Sequence, residues 1–326
     1  MERKREKYEH LVAYAATLPP TPVAVAHPCD FTSLEAAVEA AKLKLIAPIL
    51  VGPRDKIYQA ALDGNIDISA LPLVDAPHSH AAAAAAVRLV HEGKAEALMK
   101  GSLHTDELMS EVVARDTGLR TERRVSHCFV MDVPGRAGAL IITDAAINIA
   151  PTLDDKRDIV QNAIDLAHAL NFPAVRVAIL SAMETINAKV PSTLDAAALC
   201  KMADRGQIVG GTLDGPLALD NAINEDAARI KHITSDVAGR ANVLVVPDLE
   251  AGNLLAKSLS FLAGADAAGI VLGARVPIIL TSRADSIITR LASCAVASLV
   301  ALARRQATAT PVKPTSTETM AQPAPI

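Results

Sequence analysis

Three short polar clusters interrupt an otherwise apolar chain: Gly101-Ser102-Leu103-His104-Thr105, Ser282-Arg283-Ala284-Asp285-Ser286, and the Glu250 and Asn253 pair in PDLEAGN (247–253). Each follows an apolar run (97–100, 276–281 and 241–246) and leads into a stretch of helical periodicity. Helix N-termini present unsatisfied N–H groups and the positive end of the helix dipole, so such loops are suited to phosphate or carboxylate. Ser102, His104, Thr105, Asn148, Asn253 and Ser282 supply hydrogen-bonding groups, and Arg283 supplies a planar fork for phosphate. Asp285 and Glu250 are carboxylates able to take a proton. Structural readings stand beside these: Ser282 or Asp285 as the cap of the last helix, Thr105 as an ordinary cap, Glu250 and Asn253 as the start of a helix. A cation at Arg283, in a first helical turn, opposes the dipole and is harder to read as structure.

The intervening sequence supplies the frame. Apolar runs at 23–26, 46–51, 73–75, 139–143, 175–180, 241–246, 270–272 and 276–281 read as strands. Helical patterns at 1–18, 32–45, 81–92, 153–170 and 287–305 alternate with them. Asp30, Thr32 or Ser33 is placed to cap the second of these. Strand–helix alternation predicts parallel sheet covered by helices, with the polar loops converging at the strands' carboxyl ends. The boundaries fall near 146 and 287, giving a first α/β/α domain from 1–146 plus 288–305 and a second from 147–287. The Thr/Pro/Ala-rich segment 306–326 has the composition of a disordered tail.

Composition excludes several classes of function. The 326 residues are 51% hydrophobic but only 2% aromatic, without Trp, which leaves no stacking platforms for single-stranded nucleic acid. A net charge of −4 points to no polyanionic partner. The apolar stretches are broken by charge or Pro before reaching membrane-spanning length, and no signal segment is visible. Four separated cysteines without a CxxC pair fit a cytoplasmic protein, and Cys128 in CFVM reads as core. His78 and His80 lack a third metal ligand at a telling spacing. There is no Walker sequence, and no GxGxxG follows the first strand.

Six segments carry a family resemblance: LMKGSLHTDEL (98–108), RRVSHCFVMDVP (123–134), IITDAAIN (141–148), RVAILSAM (176–183), VAGRANVLVVPDLEAGN (237–253) and VPIILTSRADS (276–286). Together the chain resembles the phosphate acetyl/butyryl transferase family, its butyryl-type branch most, and the transferase part of fused enoyl-CoA hydratase/phosphate transferases. The resemblance implies two α/β/α domains with an interdomain cleft, similar to isocitrate and isopropylmalate dehydrogenases, usually in a homodimer. It implies acyl-CoA and inorganic phosphate as substrates, with no cofactor, CoA itself entering as substrate; no metal is expected. Ser282 and Arg283 match the family's Ser-Arg pair and, with Asp285, form the implied catalytic set. Gly101, Ser102, His104, Thr105, Ser126, Asn148, Glu250 and Asn253 form the implied substrate-binding set.

Two positions depart from the acetyl-type pattern. Thr289 stands where those enzymes carry a catalytic Asp, leaving Asp285 or Glu250 as the base or a reaction that relies mainly on positioning, and Ala145 stands where they carry a Cys. An Arg that follows their HT motif has no counterpart near 109–112, which favours a longer or different acyl group. With no protein nucleophile implied, both substrates would react in a ternary complex. The alternatives are a noncatalytic regulator that binds CoA or acyl phosphate, and an acyl-carrier-protein:phosphate acyltransferase.

Overall fold

The computed structural model describes residues 5–282 and 284–309. Arg283 and the expected tail over 310–326 lie outside the described residues. The strands are β1 (Thr21–Ala26), β2 (Ile46–Gly52), β3 (Leu73–Asp75), β4 (Ala97–Lys100), β5 (Ser126–Asp132), β6 (Leu140–Thr143), β7 (Arg176–Leu180), β8 (Thr212–Leu217), β9 (Val243–Val245), β10 (Asp266–Leu272) and β11 (Ile278–Ile279). The helices are α1 (Glu6–Ala16), α2 (Phe31–Lys42), α3 (Arg54–Asp63), α4 (Ser79–His91), α5 (Thr105–Val112), α6 (Leu153–Ala169), α7 (Pro191–Asp204), α8 (Leu219–Ile223), α9 (Glu225–Ile230), α10 (Leu249–Leu262) and α11 (Ile287–Ala309).

Among the described residues the strands form one sheet in the order β3-β2-β1-β4-β11-β10-β5-β6-β9-β7-β8. From β3 to β11 every pairing is parallel, and so is every pairing from β6 to β8. Three antiparallel pairings, β11–β10, β10–β5 and β5–β6, lie between these wings. An odd number of reversals makes the wings run in opposite directions. The carboxyl ends of the two wings therefore face opposite edges of the sheet, and the polar loops that meet do so across its antiparallel centre, not along one shared edge.

Side chains alternate across a strand, so the sheet sorts its apolar residues by parity. Val23, Val25, Ile141, Val177 and Ile179 face one side and share one continuous core with residues of α2, α6 and α11. On the other side the core splits. Ala24, Ala26 and Leu98 pack with α4 and α5, whereas Leu140, Ile142, Ala178 and Leu180 pack in a separate cluster with Ala222 and Ala228. Each fully buried Val or Leu contributes about 1.5–3 kcal/mol. Between the two clusters, over the antiparallel centre of the sheet, the face is open.

Several expectations are corrected here. The 287–305 pattern becomes α11, which ends at Ala309, four residues into the segment read as tail. Its stretch Ile287–Ala307 is long and apolar enough to cross a membrane, contrary to the sequence reading, but 72% of the apolar window is buried inside the protein. It is a core helix rich in small residues, and the Ser293 hydroxyl accepts from Gly269 N–H of β10 at 2.9 Å. The sequence reading also passed over β5, β8, α3 and α7. The four cysteines are free, with Cys128 and Cys294 buried, so Cys128 is core as expected.

Candidate active site

The open face forms a cleft of about 810 Å³, lined from β4, β5, β10, α10 and the segment 280–289. Lys100 ends β4 at its wall, 7% exposed, with Nζ 3.3 Å from Gly101 O. The chain then turns tightly against β1: Gly101 N–H donates to Ala26 O and Ser102 N–H to His27 O, both at 2.9 Å. The Ser102 hydroxyl donates to His27 O at 2.8 Å and lies 2.9 Å from His27 Nδ1. Ser102 thus fastens the loop, and Leu103, His104 and Thr105 line the cleft. The Glu107 carboxylate accepts from His104 N–H at 2.7 Å and from the Ser79 hydroxyl at 2.6 Å, fixing the start of α5. Those bonds, the Ser79 one foremost, hold the Glu107 carboxyl below its usual range. His78 caps α4 by accepting from Ala81 N–H at 3.2 Å. Among the described residues no group of three His, Cys, Asp or Glu is placed to hold a metal.

The second wall is the loop before α11. Neither Ser282 nor Asp285 caps that helix; Thr289 N–H donates to the Ser286 hydroxyl at 3.2 Å. Asp285 instead turns back on its own loop and accepts Ser282 N–H at 2.6 Å. Arg290, 4% exposed, clamps the same loop through Ser282 O at 2.9 Å and Asp285 O at 3.3 Å. Burial raises the Asp285 carboxyl above its ordinary value, opposed by the Ser282 N–H and by the charges of Arg290 and Lys100. Ser282 and Asp285 line the cleft, as does Thr289.

The third wall is α10, capped by Asp248, which accepts from Ala251 N–H at 2.9 Å. Asn253 lines the cleft and donates to Ala145 O at 3.2 Å. Glu250 sits exposed in the first turn and is not among the cleft's lining residues. Ser126 and Asn148 also lie outside that lining, near the edge where the second wing ends. The Ser126 hydroxyl accepts from Asn162 at 2.9 Å; Asn148 donates to Val125 O at 2.9 Å and to Asp144 at 2.6 Å. Asp144 organises this turn, accepting also from the N–H groups of His127, Ala146 and Ile147.

Polar residues in or around the site that were not singled out from the sequence include Lys100, His127, Thr281, Arg290, Lys257 and Asp144. All but Lys257 are buried. The signal that could have found four of them is a charge or imidazole inside an apolar run: Lys100 in EALMK, His127 in VSHCFVM, Asp144 after LIIT and Arg290 in SIITRLAS. A buried polar group needs partners, and in such a run only a site or a clamp supplies them.

Residues 78–298 match the family model described as phosphate acetyl/butaryl transferase. The chain belongs to that family. It is 66% identical over 301 residues to the phosphate acetyltransferase of Rhizobium meliloti, covering 92% of this chain and 95% of that one. It is 41% identical to the phosphate butyryltransferase of Clostridium beijerinckii, over 91% of this chain and 98% of that one. Among solved structures, a branched-chain phosphotransacylase from Enterococcus faecalis V583 superposes with a TM-score of 0.75 at 30% identity, covering 86% of this chain and 99% of that one. A 4-hydroxythreonine-4-phosphate dehydrogenase from Burkholderia phymatum shares the α/β fold alone, at TM-score 0.53 and 12% identity over 87% of this chain and 98% of that one. Within the family, this chain brings Ser282, Asp285, His104, Thr105 and Asn253 to one cleft and leaves Gly101, Ser102, Ser126, Asn148 and Glu250 outside its lining.

Proposed function

We propose that this member of the family, a phosphate acyltransferase, moves a short acyl group, acetyl to butyryl, between CoA and inorganic phosphate in the cleft over the antiparallel strands. The observation that carries the reading is the meeting of Lys100, Leu103, His104, Thr105, Asp285 and Asn253 around one open volume. Lys100 and Arg283 offset the charge of phosphate, and Ser282 hydrogen-bonds the acyl oxygen or the sulfur. A phosphate oxygen attacks the thioester carbonyl carbon, forming the C–O bond and moving the π pair onto oxygen. The phosphate proton passes to Asp285, whose raised pKa suits it to hold a proton nearer neutrality. The intermediate collapses, the C–S bond breaks, and the departing thiolate takes that proton. Acyl phosphate and CoA are the products, and no group on the protein is acylated.

Other features extend the proposal. The two oppositely directed wings and the split core support an isocitrate/isopropylmalate dehydrogenase-like pair of α/β/α domains meeting at the cleft. Exposed Leu254, Phe261 and Leu262 on α10 support a homodimer. We place the enzyme in the cytoplasm, without nucleic-acid or membrane partners. The Thr289 side chain, bonded to Ser286 at 3.2 Å, keeps open the second reading of a noncatalytic CoA- or acyl-phosphate-binding regulator. Phosphate-dependent release of CoA thiol from acetyl-, propionyl- and butyryl-CoA separates the two. Thiol that appears only with phosphate and collapses in Arg283→Ala supports transfer; binding of CoA without thiol release from any acyl-CoA supports the regulator.

A further inference from the structure

Two buried polar atoms on the floor of the cleft have no hydrogen-bond partner among the described residues: His127 Nδ1 and Thr281 Oγ1. Both residues line the same cleft, at 1% and 6% exposure. Such orphans are rare in folded proteins and cost stability in the resting state, so a pair at one site asks for an absent partner. The residues reach this spot from different strands, His127 from β5 and Thr281 from just beyond β11. Gly269 of β10 lies between them. A Cβ there would stand 2.5 Å from Leu280 O and 3.2 Å from His127 Nε2. The missing side chain is what lets the imidazole and the 280–281 backbone close on one point.

The two orphaned groups carry no charge of their own and are flanked by an aromatic ring. Burial pushes the His127 imidazole down to about 4, against the pull of Asp144, so it is neutral at physiological pH. Its ring packs edge-on against Phe129 with centroids 4.4 Å apart. A phosphate dianion calls for cations, which Lys100 supplies at the other wall. Two neutral donors beside an aromatic ring match a carbonyl oxygen that carries an apolar substituent.

We propose that His127 and Thr281 donate hydrogen bonds to the acyl oxygen of the substrate, with the acyl chain lying against Phe129. This rests on the acyl-transfer reading above. The oxygen is a carbonyl in the bound acyl-CoA and an oxyanion once the phosphate oxygen has attacked. When the C–S bond breaks, the same pair returns to form the C=O bond. His127 and Thr281 keep their protons throughout, so they stabilise charge without transferring a proton.

The test measures kcat, KM for phosphate and Tm in Thr281→Val, His127→Phe and His127→Gln. Thr281→Val keeps the shape and removes the orphaned hydroxyl, so its Tm should not fall. Its kcat should drop on the order of a hundredfold, with KM for phosphate unchanged. His127→Phe should lose kcat similarly, and His127→Gln, which restores a donor, should recover part of it. Phe129→Ala should raise kcat/KM for butyryl-CoA relative to acetyl-CoA; an unchanged ratio overturns the placement of the chain. Wild-type kcat in Thr281→Val and His127→Phe overturns the proposal. So do losses that track Tm without rescue by Gln. Should His127→Phe fail to fold, Thr281→Val decides alone. A wild-type enzyme that releases no thiol with phosphate would instead overturn the acyl-transfer reading itself.

Discussion

Gly101→Ala should cost this enzyme more in rate than in stability. An added Cβ would stand 2.5 Å from both Ala26 O and His27 O, and 2.6 Å from His27 C. Relaxed carbon–oxygen contacts lie at about 3.3–3.6 Å, so the strand end must move by roughly 1 Å. The atoms in the way are backbone and have no rotamer to escape into. The two hydrogen bonds across the same gap, from Gly101 N–H and Ser102 N–H, must stretch with the shift. Overpacking of this kind costs about 1–3 kcal/mol, a fall of several degrees in Tm. The catalytic effect is larger because Lys100, Leu103 and His104 ride on the displaced chain. A misplacement of about 1 Å can cost on the order of a hundredfold in rate. Steady-state kcat/KM and a calorimetric melt read the two effects separately. Gly138→Ala is the control, since a Cβ there meets nothing within 4 Å. Wild-type kcat/KM and wild-type Tm in Gly101→Ala would refute the reasoning.

Three further outcomes follow from the same geometry. Because burial raises the Asp285 carboxyl above its ordinary value and it must be unprotonated to accept a proton, the acid-side fall of kcat/KM should lie at higher pH than an exposed Asp would give. Asp285→Asn should remove that limb along with most of kcat, and an acid limb that survives in the variant would contradict the assignment. His127 has a folded pKa depressed from 6.5 to about 4, so the unfolded chain binds its proton first as pH falls. The stability that neutral His127 contributes is complete above about pH 6.5 and is lost progressively toward pH 4; in His127→Phe, denaturant titrations should show a flatter dependence over that window. Arg290→Met should remove the guanidinium's hydrogen bonds to Ser282 O and Asp285 O, at about 1–3 kcal/mol in all because Ser282 O still accepts from Asp285 N–H, and lower kcat through a loosened loop. An unchanged melt in Arg290→Met would remove the clamp from the account.

Most strands were legible in the sequence, β8 of the second wing and β5 of the centre excepted, but the antiparallel pairing at the centre was not. Runs such as TPVAVA and RVAIL are bounded by Pro, Gly or polar turns, and their apolar character follows from burial on both faces, so 23–26 and 175–180 read as strands. The β5 segment SHCFVMD mixes His, Cys and Asp into an apolar run, because one of its faces is core and the other is the floor of the cleft. Its period is therefore neither that of a buried strand nor that of a solvated one. The antiparallel centre, and with it the opposed direction of the wings, depends on long-range pairing that no local pattern records. Site residues at loop tips, such as His104 and Asp285, were visible because their neighbours punctuate the chain. Lys100, His127 and Arg290 were missed because each is embedded in an element. Ser126 and Asn148 sit in matching motifs, yet they serve the Asp144 turn and the α6 contact rather than the cleft wall.

The central claim is that one cleft joins phosphate to an acyl group as CoA departs. Incubating the purified protein with acetyl-CoA and phosphate, and counting free thiol against acyl phosphate trapped as hydroxamate, tests it most directly. The account predicts equal amounts of the two products, both absent without phosphate, and the reverse reaction from acetyl phosphate and CoA. Thiol released without acyl phosphate would mark a thioesterase, and no thiol at all would mark a binding protein. Either result would contradict the account.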